Sequence, residues 1–320
     1  MRRFGVIPAR VGLAAVAVLA GAFGTARAQD ELLVPERTLG AAAAQEPETA
    51  GPRGQMSFTY QNQKTQDLVL SHATFAGAAV NTHLIDFAVS YRIKDRWAID
   101  AGLPFISREW KGGPSHNPLV IIPPQLDSEF VDDGHFHTFL QDLRLGASYL
   151  VTSEPIAFAP YFEYGIPASD YPFFAASAVG RHLQTLEVGT TLAYRPPFLK
   201  WYFSLRTGYQ MADKVLGYDT NATRTTADAA YFINPRLTFN VFLTSKNGKG
   251  FDPTVTPPMT SELWYRHDQL TRHNFANLGV GIDWSLGDRN ALNFTLLKMV
   301  HAEDVFRLRR AMSVSLSRSF

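Results

Sequence analysis

Residues Tyr91–Phe105 read YRIKDRWAIDAGLPF, and this stretch decides the fold of the chain. An alternating run ends on an aromatic residue, a short polar turn follows, and apolar residues then recur at every second position. The same pattern occurs four more times, in Tyr149–Tyr164 (YLVTSEPIAFAPYFEY), Tyr194–Tyr209 (YRPPFLKWYFSLRTGY), Tyr231–Leu243 (YFINPRLTFNVFL) and Trp284–Leu296 (WSLGDRNALNFTL). A period of two on both sides of a tight turn predicts five β-hairpins.

Two further alternating segments, near residues 55–63 (QMSFTYQNQ) and 306–320 (FRLRRAMSVSLSRSF), bring the ten hairpin strands to twelve. An even number is what a single-chain bacterial barrel with both ends on the same side requires. Most of the remaining connections are long and rich in Gly, Pro, Asn and Asp, and they are predicted at 64–81, 109–136, 167–181, 211–227, 245–274 and 301–305. Because short turns at one end and long loops at the other are typical of outer-membrane proteins, the sequence predicts an all-β fold. The expected architecture is a transmembrane antiparallel up-and-down β-barrel of about 12 strands, of the bacterial outer-membrane type.

The even number of strands depends on a turn at Asn234 and Pro235. The alternative is one long strand with a bulge over residues 228–244. A proline inside a central strand would remove a ladder hydrogen bond, which favours the turn.

The period of two also predicts which side chains face lipid. Ile85, Phe87 and Val89 alternate with Asp86 and Ser90, so the apolar set is expected to face lipid and the polar set the lumen. Aromatic residues beside the short turns are expected to form a girdle at one membrane interface: Tyr91, Trp97, Tyr149, Tyr194, Trp201, Tyr231 and Trp284.

Residues 1–28 have the features of a signal peptide: a basic start, an apolar stretch from Val11 to Phe23, and small residues at Ala26 and Ala28. Residues 29–54 are rich in Ala, Glu and Pro without a period and are predicted to form a flexible periplasmic leader, followed by the barrel at 55–320. Cleavage before Gln29 removes four arginines and no acid, so 26 of the 30 basic residues remain against 29 acidic ones, a net charge of −3. Nothing in this balance points to a nucleic-acid partner.

The absence of cysteine excludes disulfides, thiolate metal sites and a lipid-modified N-terminus. Outside the signal peptide, no apolar run approaches the 18 or more residues that a membrane-spanning helix needs.

The last strand ends on Phe320 after Met312, Val314 and Leu316 at alternate positions. This segment resembles the C-terminal strand through which bacterial outer-membrane barrels are recognised by their assembly machinery. The expected partners are therefore that machinery, the lipid and lipopolysaccharide of the outer membrane, and a small-molecule solute.

Tyr91–Phe105, with its RWAIDAGLPF, and Leu140–Val151 (LQDLRLGASYLV) together resemble the outer-membrane family named for the meta-pathway of phenol degradation. The resemblance covers roughly residues 84–320. It implies a bacterial outer-membrane transporter of a class often encoded near genes for the breakdown of aromatic compounds, and it implies no ligand residues.

Charged residues at inward positions are the candidate pore residues. They are Asp86, Arg92, Asp100, Asp142, Arg144, Glu163, Glu187, Arg206, Arg236, Asp283, Arg307 and Arg309. Two interpretations stay open: opposed charges that select solutes in a polar conduit, or ion pairs across the lumen that hold it closed. Three lumen-facing aromatic residues, Tyr161, Tyr202 and Phe232, are expected either to stack an aromatic solute or to fill space.

Barrel size favours a narrow, selective or plugged pore, since eight strands leave room only for side chains and sixteen leave a water channel. The sequence thus predicts an outer-membrane channel for passive or facilitated passage of small solutes, aromatic or hydrophobic ones included. The alternative is a structural or adhesion barrel whose lumen is closed and which transports nothing.

His135 and His137 flank Phe136 and point the same way in an extended chain, so a metal site completed by Asp132 or His116 is conceivable. Histidines in outer loops are more commonly solvated, and we predict no metal and no cofactor.

An outer-membrane lipid hydrolase would need a serine and a histidine on one face at the outer rim. The pairs Ser71-His72 and Ser115-His116 are adjacent in sequence, so in a strand they point to opposite faces. We therefore predict that the chain is not an enzyme, and a rim hydrolase remains the less favoured alternative.

Overall fold

The structure, a computed structural model, describes residues 53–71, 73–94, 96–112, 130–251 and 261–320. The predicted signal peptide at 1–28 and the leader at 29–54 lie outside the described residues, apart from Arg53 and Gly54, and Gly54 is already the first residue of a strand. The strands are β1 Gly54–Val69, β2 Thr74–Phe75, β3 Ala79–Lys94, β4 Trp97–Lys111, β5 Phe136–Leu140, β6 Asp142–Tyr149, β7 Ile156–Pro167, β8 Thr185–Tyr194, β9 Trp201–Ala212, β10 Ala222–Asn234, β11 Leu237–Gly248, β12 Asn274–Ser285, β13 Asn290–Glu303 and β14 Val305–Ser319.

These strands close into an antiparallel barrel. Each wall strand pairs with its neighbours in sequence, and β14 pairs with β1 from Ser319 opposite Gln55 to Val305 opposite Val69. Within the described chain, β2 is a two-residue addition to β1, and β5 continues the line of β6 along β4, so twelve strands form the wall. The predicted twelve-stranded up-and-down barrel is confirmed.

All five predicted short turns are present, between β3 and β4, β6 and β7, β8 and β9, β10 and β11, and β12 and β13. The turn after Asn234 is confirmed, because Asn234 pairs directly with Leu237 across it. We call the end with these turns the periplasmic end and the opposite one the outer end, following the asymmetry of outer-membrane barrels.

The outer end differs from the prediction at β1 and at the connection between β13 and β14, among other places. Strand β1 was expected to end near residue 63 and continues to Val69, and the expected connection at 301–305 contracts to Asp304 alone, which adopts a φ of 56°. Strands β1, β3, β4, β13 and β14 have 14 to 16 residues, whereas β7–β12 have 10 to 13. The rim is therefore taller on the side where the barrel closes.

Side-chain direction follows the predicted alternation over most of the wall. Phe87 is 50% and Val89 45% exposed on the outer face, whereas Asp86 is 5% and Ser90 8% exposed because they point inward. Aromatic residues of the predicted girdle meet beside the periplasmic turns, with Trp97 contacting Tyr149 and Trp201 contacting Tyr231.

The connection between β11 and β12 carries two short helices, α1 Glu262–Tyr265 and α2 His267–Leu270. In the described part of the chain, no helix has the length and apolar character needed to cross a membrane.

Candidate permeation path in the lumen

A buried salt bridge spans three strands of the wall. Arg144 on β6 donates through Nη2 to Asp86 on β3, and both side chains are at most 6% exposed. Between them lies Gly102 of β4, where a Cβ would clash with the Arg144 guanidinium. Glycine at this position therefore provides the space in which the arginine crosses the intervening strand.

Glu187 on β8 is the centre of a second charged group. Its Oε1 accepts a hydrogen bond from the Tyr161 hydroxyl, and its carboxylate oxygens lie 3.7 Å from Arg224 Nη1 and 4.0 Å from Arg206 Nη2. The Arg206 guanidinium carbon is 3.4 Å from the centre of the Tyr161 ring, a cation–π contact. Glu163 pairs in register with Glu187 and is also buried, so two carboxylates lie side by side facing the lumen.

We call the residues of these two groups, Asp86, Arg144, Glu163, Glu187, Arg206 and Arg224, the charged belt. Acids predominate on the inner face of β3–β8, where Asp86, Asp100, Asp142, Glu163 and Glu187 lie, and Asp228 and Asp283 are the inward acids of β10 and β12. Inward cations occur on both sides of the barrel, with Arg92, Arg108 and Arg144 on β3–β6 and Arg206, Arg224 and Lys246 on β9–β11. Opposed charges across a lumen produce a transverse field, which is a recognised basis of solute selection.

Part of the inner face of β11–β14 is apolar, beside buried polar residues such as Asn240 and Asn277. The apolar wall, as we name it, consists of buried residues in mutual contact: Phe242, Phe275, Leu297, Met299, Val305, Leu308 and Ala311. Phe242 lies over Gly279 of the neighbouring strand, where a Cβ would clash with its ring. One lumen therefore presents charged groups on one side and hydrocarbon on the other.

The connection between β7 and β8, residues 168–184, folds into the mouth of the barrel, and we call it the inner loop. Tyr171 and Val179 are 1% exposed and pack against Leu84 and Ile106 of the wall. The Tyr171 hydroxyl donates to Asp142, and Gln141 Nε2 donates to the carbonyl oxygen of Val179 at 2.7 Å.

Asp132 also holds the inner loop. Its carboxylate accepts hydrogen bonds from Ala176 N at 2.8 Å, Ser177 N at 2.9 Å and Ser177 Oγ at 2.6 Å. On the other side of the loop, Gln269 Nε2 of α2 donates to the Arg181 carbonyl oxygen at 2.7 Å. The mouth is thus narrowed by the inner loop, which bonds to the wall and to the connections that carry Asp132 and Gln269.

Nine of the twelve predicted pore residues are on the inner face. Six are buried and three half-buried: Asp86, Asp100, Asp142, Arg144, Glu163 and Glu187 in the first set, and Arg92, Arg206 and Asp283 in the second. The Asp283 carboxylate accepts from Asn240 Nδ2 and from Asn293 Nδ2, both at 2.6 Å.

The other three were assigned wrongly to the lumen. Arg236 is exposed in the turn between β10 and β11, beyond the end of the wall. Arg307 and Arg309 are exposed on the outer surface, because a bulge in β14 shifts the register opposite Lys64 and Thr65 and turns Leu308 inward.

Sequence reasoning missed Arg224, Lys246 and the inner loop, all of which fell inside predicted outer loops. Strand β10 begins before the expected strand and β11 ends after it. The signal that could have shown the longer β10 is the alternation of Ala222, Arg224 and Thr226. The inner loop carries Tyr171, Phe173, Phe174 and Val179, which is more apolar surface than a solvated loop normally has.

The surroundings of His135 and His137 differ from the metal site that was conceivable from the sequence, which Asp132 or His116 would have completed. Asp133 contacts both histidines: its Oδ1 accepts from His135 N and lies 2.9 Å from His137 Nε2. The His135 backbone bond, followed by the His137 contact, lowers the pKa of Asp133 from its ordinary value. His116 lies outside the described residues, and among those described no group of three or more His, Cys, Asp or Glu is placed to hold a metal ion.

The two serine–histidine pairs cannot be placed as pairs. His72, Ser115 and His116 lie outside the described residues.

The closed barrel, its short-turn end and its polar lumen together define an outer-membrane-type β-barrel. Neither a known protein family nor a curated protein matches the chain by sequence. Among solved structures, an outer membrane channel from Pseudomonas putida F1 is similar with a TM-score of 0.65 at 12% identity, over 85% of this chain and 96% of that one. The translocator domain of the autotransporter NalP from Neisseria meningitidis gives a TM-score of 0.50 at 11% identity, over 88% and 94% of the two chains. Because these two proteins differ in function, the likeness shows the fold alone.

Proposed function

We propose that the protein is an outer-membrane channel for passive or facilitated passage of small solutes, aromatic and hydrophobic ones included. The observation that carries the proposal is the amphipathic lumen, in which the charged belt faces the apolar wall inside one closed barrel. A solute with a flat apolar body and a polar substituent matches such a surface, since the body contacts Phe242 and its neighbours while the substituent meets the charged belt.

Side chains of the lumen must move for a solute to pass. Tyr161 is 0% and Phe242 1% exposed, so both are packed against neighbours in the described state. Tyr161 is held by a hydrogen bond to Glu187 and a cation–π contact with Arg206, whereas Phe242 packs against the hydrocarbon of the apolar wall. A narrow path of this kind favours small solutes over large hydrated ones.

A closed structural barrel is the second candidate, and a specific observation favours it. Asp86 with Arg144, and Glu187 with Tyr161, Arg206 and Arg224, satisfy one another's charges along the inner wall. Such pairs stabilise a barrel without any solute.

Single-channel recording on the refolded mature chain in planar bilayers separates the two candidates. We expect discrete openings in the wild type and a larger conductance in Phe242→Ala, which removes the ring over Gly279. Phe239→Ala, on the lipid-facing side of the same strand, is the matched control and should leave conductance unchanged. Absence of openings in both the wild type and Phe242→Ala, with no solute leakage from liposomes, would favour the closed barrel.

Charge selectivity provides an independent readout. Glu187→Gln removes the carboxylate that Arg206 and Arg224 face, so the reversal potential in a salt gradient should move toward anion preference. Asp288→Asn, in an exposed periplasmic turn, should not shift it.

A further inference from the structure

Three cations form a row on the outer surface of the seam where the barrel closes. Lys64 on β1 and Arg310 on β14 are direct partners, and the pairing of Leu297 with Ala311 places Lys298 of β13 beside Arg310. All three are exposed on the outward face. Their Cα atoms are spaced by about 5 Å from strand to strand, which brings the three positive groups within reach of one ligand.

This arrangement is unfavourable without an anion, because like charges directly opposite on neighbouring strands repel. Within the described part of the chain, none of the three is paired with a carboxylate. The acids at the adjoining turn are engaged elsewhere: Glu303 lies 3.5 Å and Asp304 2.5 Å from Arg272. The positive charge of the row therefore remains available.

Two more cations extend the row toward the outer rim. Arg307 and Arg309 are exposed on the same surface, and Arg309 Nη1 donates to Gln66 Oε1 at 2.9 Å. The bulge that turns Leu308 inward is what places both arginines outside. We call Lys64, Lys298, Arg307, Arg309 and Arg310 the basic patch.

The basic patch lies where the lipid-facing surface ends. Toward the periplasm the same strands carry exposed apolar residues at every second position: Phe58, Tyr60, Phe294, Leu296, Met312, Val314 and Leu316. From Arg310 to Arg318 the strand rises about 27 Å, or about 20 Å along the membrane normal at the usual barrel tilt, compared with an apolar band of about 25 Å. The row thus lies within about 5 Å of the outer boundary of this band, a distance that long lysine and arginine side chains can span to reach the headgroups of the outer leaflet.

Other sectors of the described rim lack such a feature. The outward positions at the outer ends of β7–β12 are uncharged, and Lys111 on β4 is neutralised by Glu109 at 3.1 Å. The concentration of unpaired cations is therefore specific to β13, β14 and β1.

We propose that the basic patch binds the phosphorylated sugar headgroup of lipopolysaccharide in the outer leaflet. Arginine forms bidentate hydrogen bonds to phosphate and lysine supplies a point charge, so a glycolipid carrying more than one phosphate fits a row of three cations backed by two. The acyl chains of the same lipid would lie along the exposed apolar residues below. This inference requires an outer-membrane location and does not depend on solute passage.

Native mass spectrometry of the refolded full mature chain, titrated with diphosphoryl lipid A, tests the inference. The test variant combines Lys64→Gln, Lys298→Gln and Arg310→Gln, and the matched control is Arg318→Gln, an exposed position near the periplasmic end of β14. Each lost cation should weaken binding about fivefold, or roughly 100-fold together, because a cation near a charged lipid surface contributes on that scale. The control should change it less than about twofold.

Equal binding by the triple variant and the wild type would overturn the proposal, as would an equal loss in Arg318→Gln. Phosphatidylglycerol is the control for lipid selectivity. If it binds the wild type as tightly as diphosphoryl lipid A does, the basic patch is a general anionic-lipid surface and the proposal is wrong. Should the triple variant fail to fold, Lys298→Gln alone should still show the roughly fivefold loss. None of these outcomes bears on conductance, so the channel proposal can fail or stand separately.

Discussion

The two sides of the lumen are built on different physical principles. On β3–β10 the inner face carries the charged belt, and its large side chains fit because glycines such as Gly102 and Gly208 lie beside them. On β11–β14 the residues of the apolar wall pack hydrocarbon against hydrocarbon as in a soluble core. Both faces obey the same two-residue period, so alternation determines only which residues face inward. The choice of residue then decides whether that side is held by paired charge or by close packing.

The largest effect is expected from breaking the charged side at Arg144. Arg144→Met leaves the buried Asp86 carboxylate without its cation and should lower the free energy of unfolding by about 3–5 kcal/mol. Urea unfolding of the barrel in detergent measures this. The double variant with Asp86→Asn should recover most of the loss. A single variant as stable as the wild type would show that water, and not the ion pair, satisfies Asp86.

Removing side-chain volume from the apolar wall should lower the free energy of unfolding almost as much. Phe242→Ala removes a ring that is 1% exposed and should lower the free energy of unfolding by about 3–4 kcal/mol through the cavity it leaves. The same urea titration applies, with lipid-facing Phe239→Ala as the control. If both phenylalanine variants lose the same stability, the apolar wall is not packed as a core.

A third substitution distinguishes the lumen from the lipid face. Leu145 on β6 is 42% exposed on the outer face, and Leu145→Arg should cost about 2–3 kcal/mol in a bilayer. Ser148→Arg, on the inner face of the same strand, should mainly change conductance. Unfolding in lipid vesicles is the measurement. Equal destabilisation by both arginines would mean that the assignment of faces on β6 is wrong.

The smallest loss of stability is expected from replacing one glycine on each side of the lumen by alanine. Gly279→Ala would push against the packed ring of Phe242, and Gly208→Ala against the ends of Tyr161 and Glu187. We expect a loss of about 1–2 kcal/mol at Gly279 and less at Gly208, because the ends of the polar side chains move more easily. A larger loss at Gly208 would indicate that the charged side is the more rigid one.

The fold was predictable because lipid imposes strict alternation on every wall strand. Phe87 and Val89 face out and Asp86 faces in as the sequence indicates, and Pro235 marks a turn because proline cannot donate to the ladder. The outward positions of Arg307 and Arg309 were not predictable. The bulge that exchanges inward and outward positions along β14 arises from pairing with β1, and no local sequence pattern indicates it.

The lumen was predictable only where strands cross the lipid. Arg224 and Lys246 lie near the outer ends of β10 and β11, in segments that the sequence assigned to loops. The inner loop takes its path from contacts that are distant in sequence, such as Asp132 with Ser177 and Gln269 with Arg181. Local propensity carries no information about those contacts.

The single-residue connection at Asp304 has a consequence for surface display. Its side chain is 1% exposed and bonds Ser71 N at 2.9 Å as well as Arg272, so a peptide tag inserted there would separate two strands and break these bonds. The connection between β9 and β10 is different, because Leu216, Gly217 and Tyr218 form an exposed tip. Exposed loop tips are where insertions are tolerated, so an epitope for labelling intact cells belongs between β9 and β10.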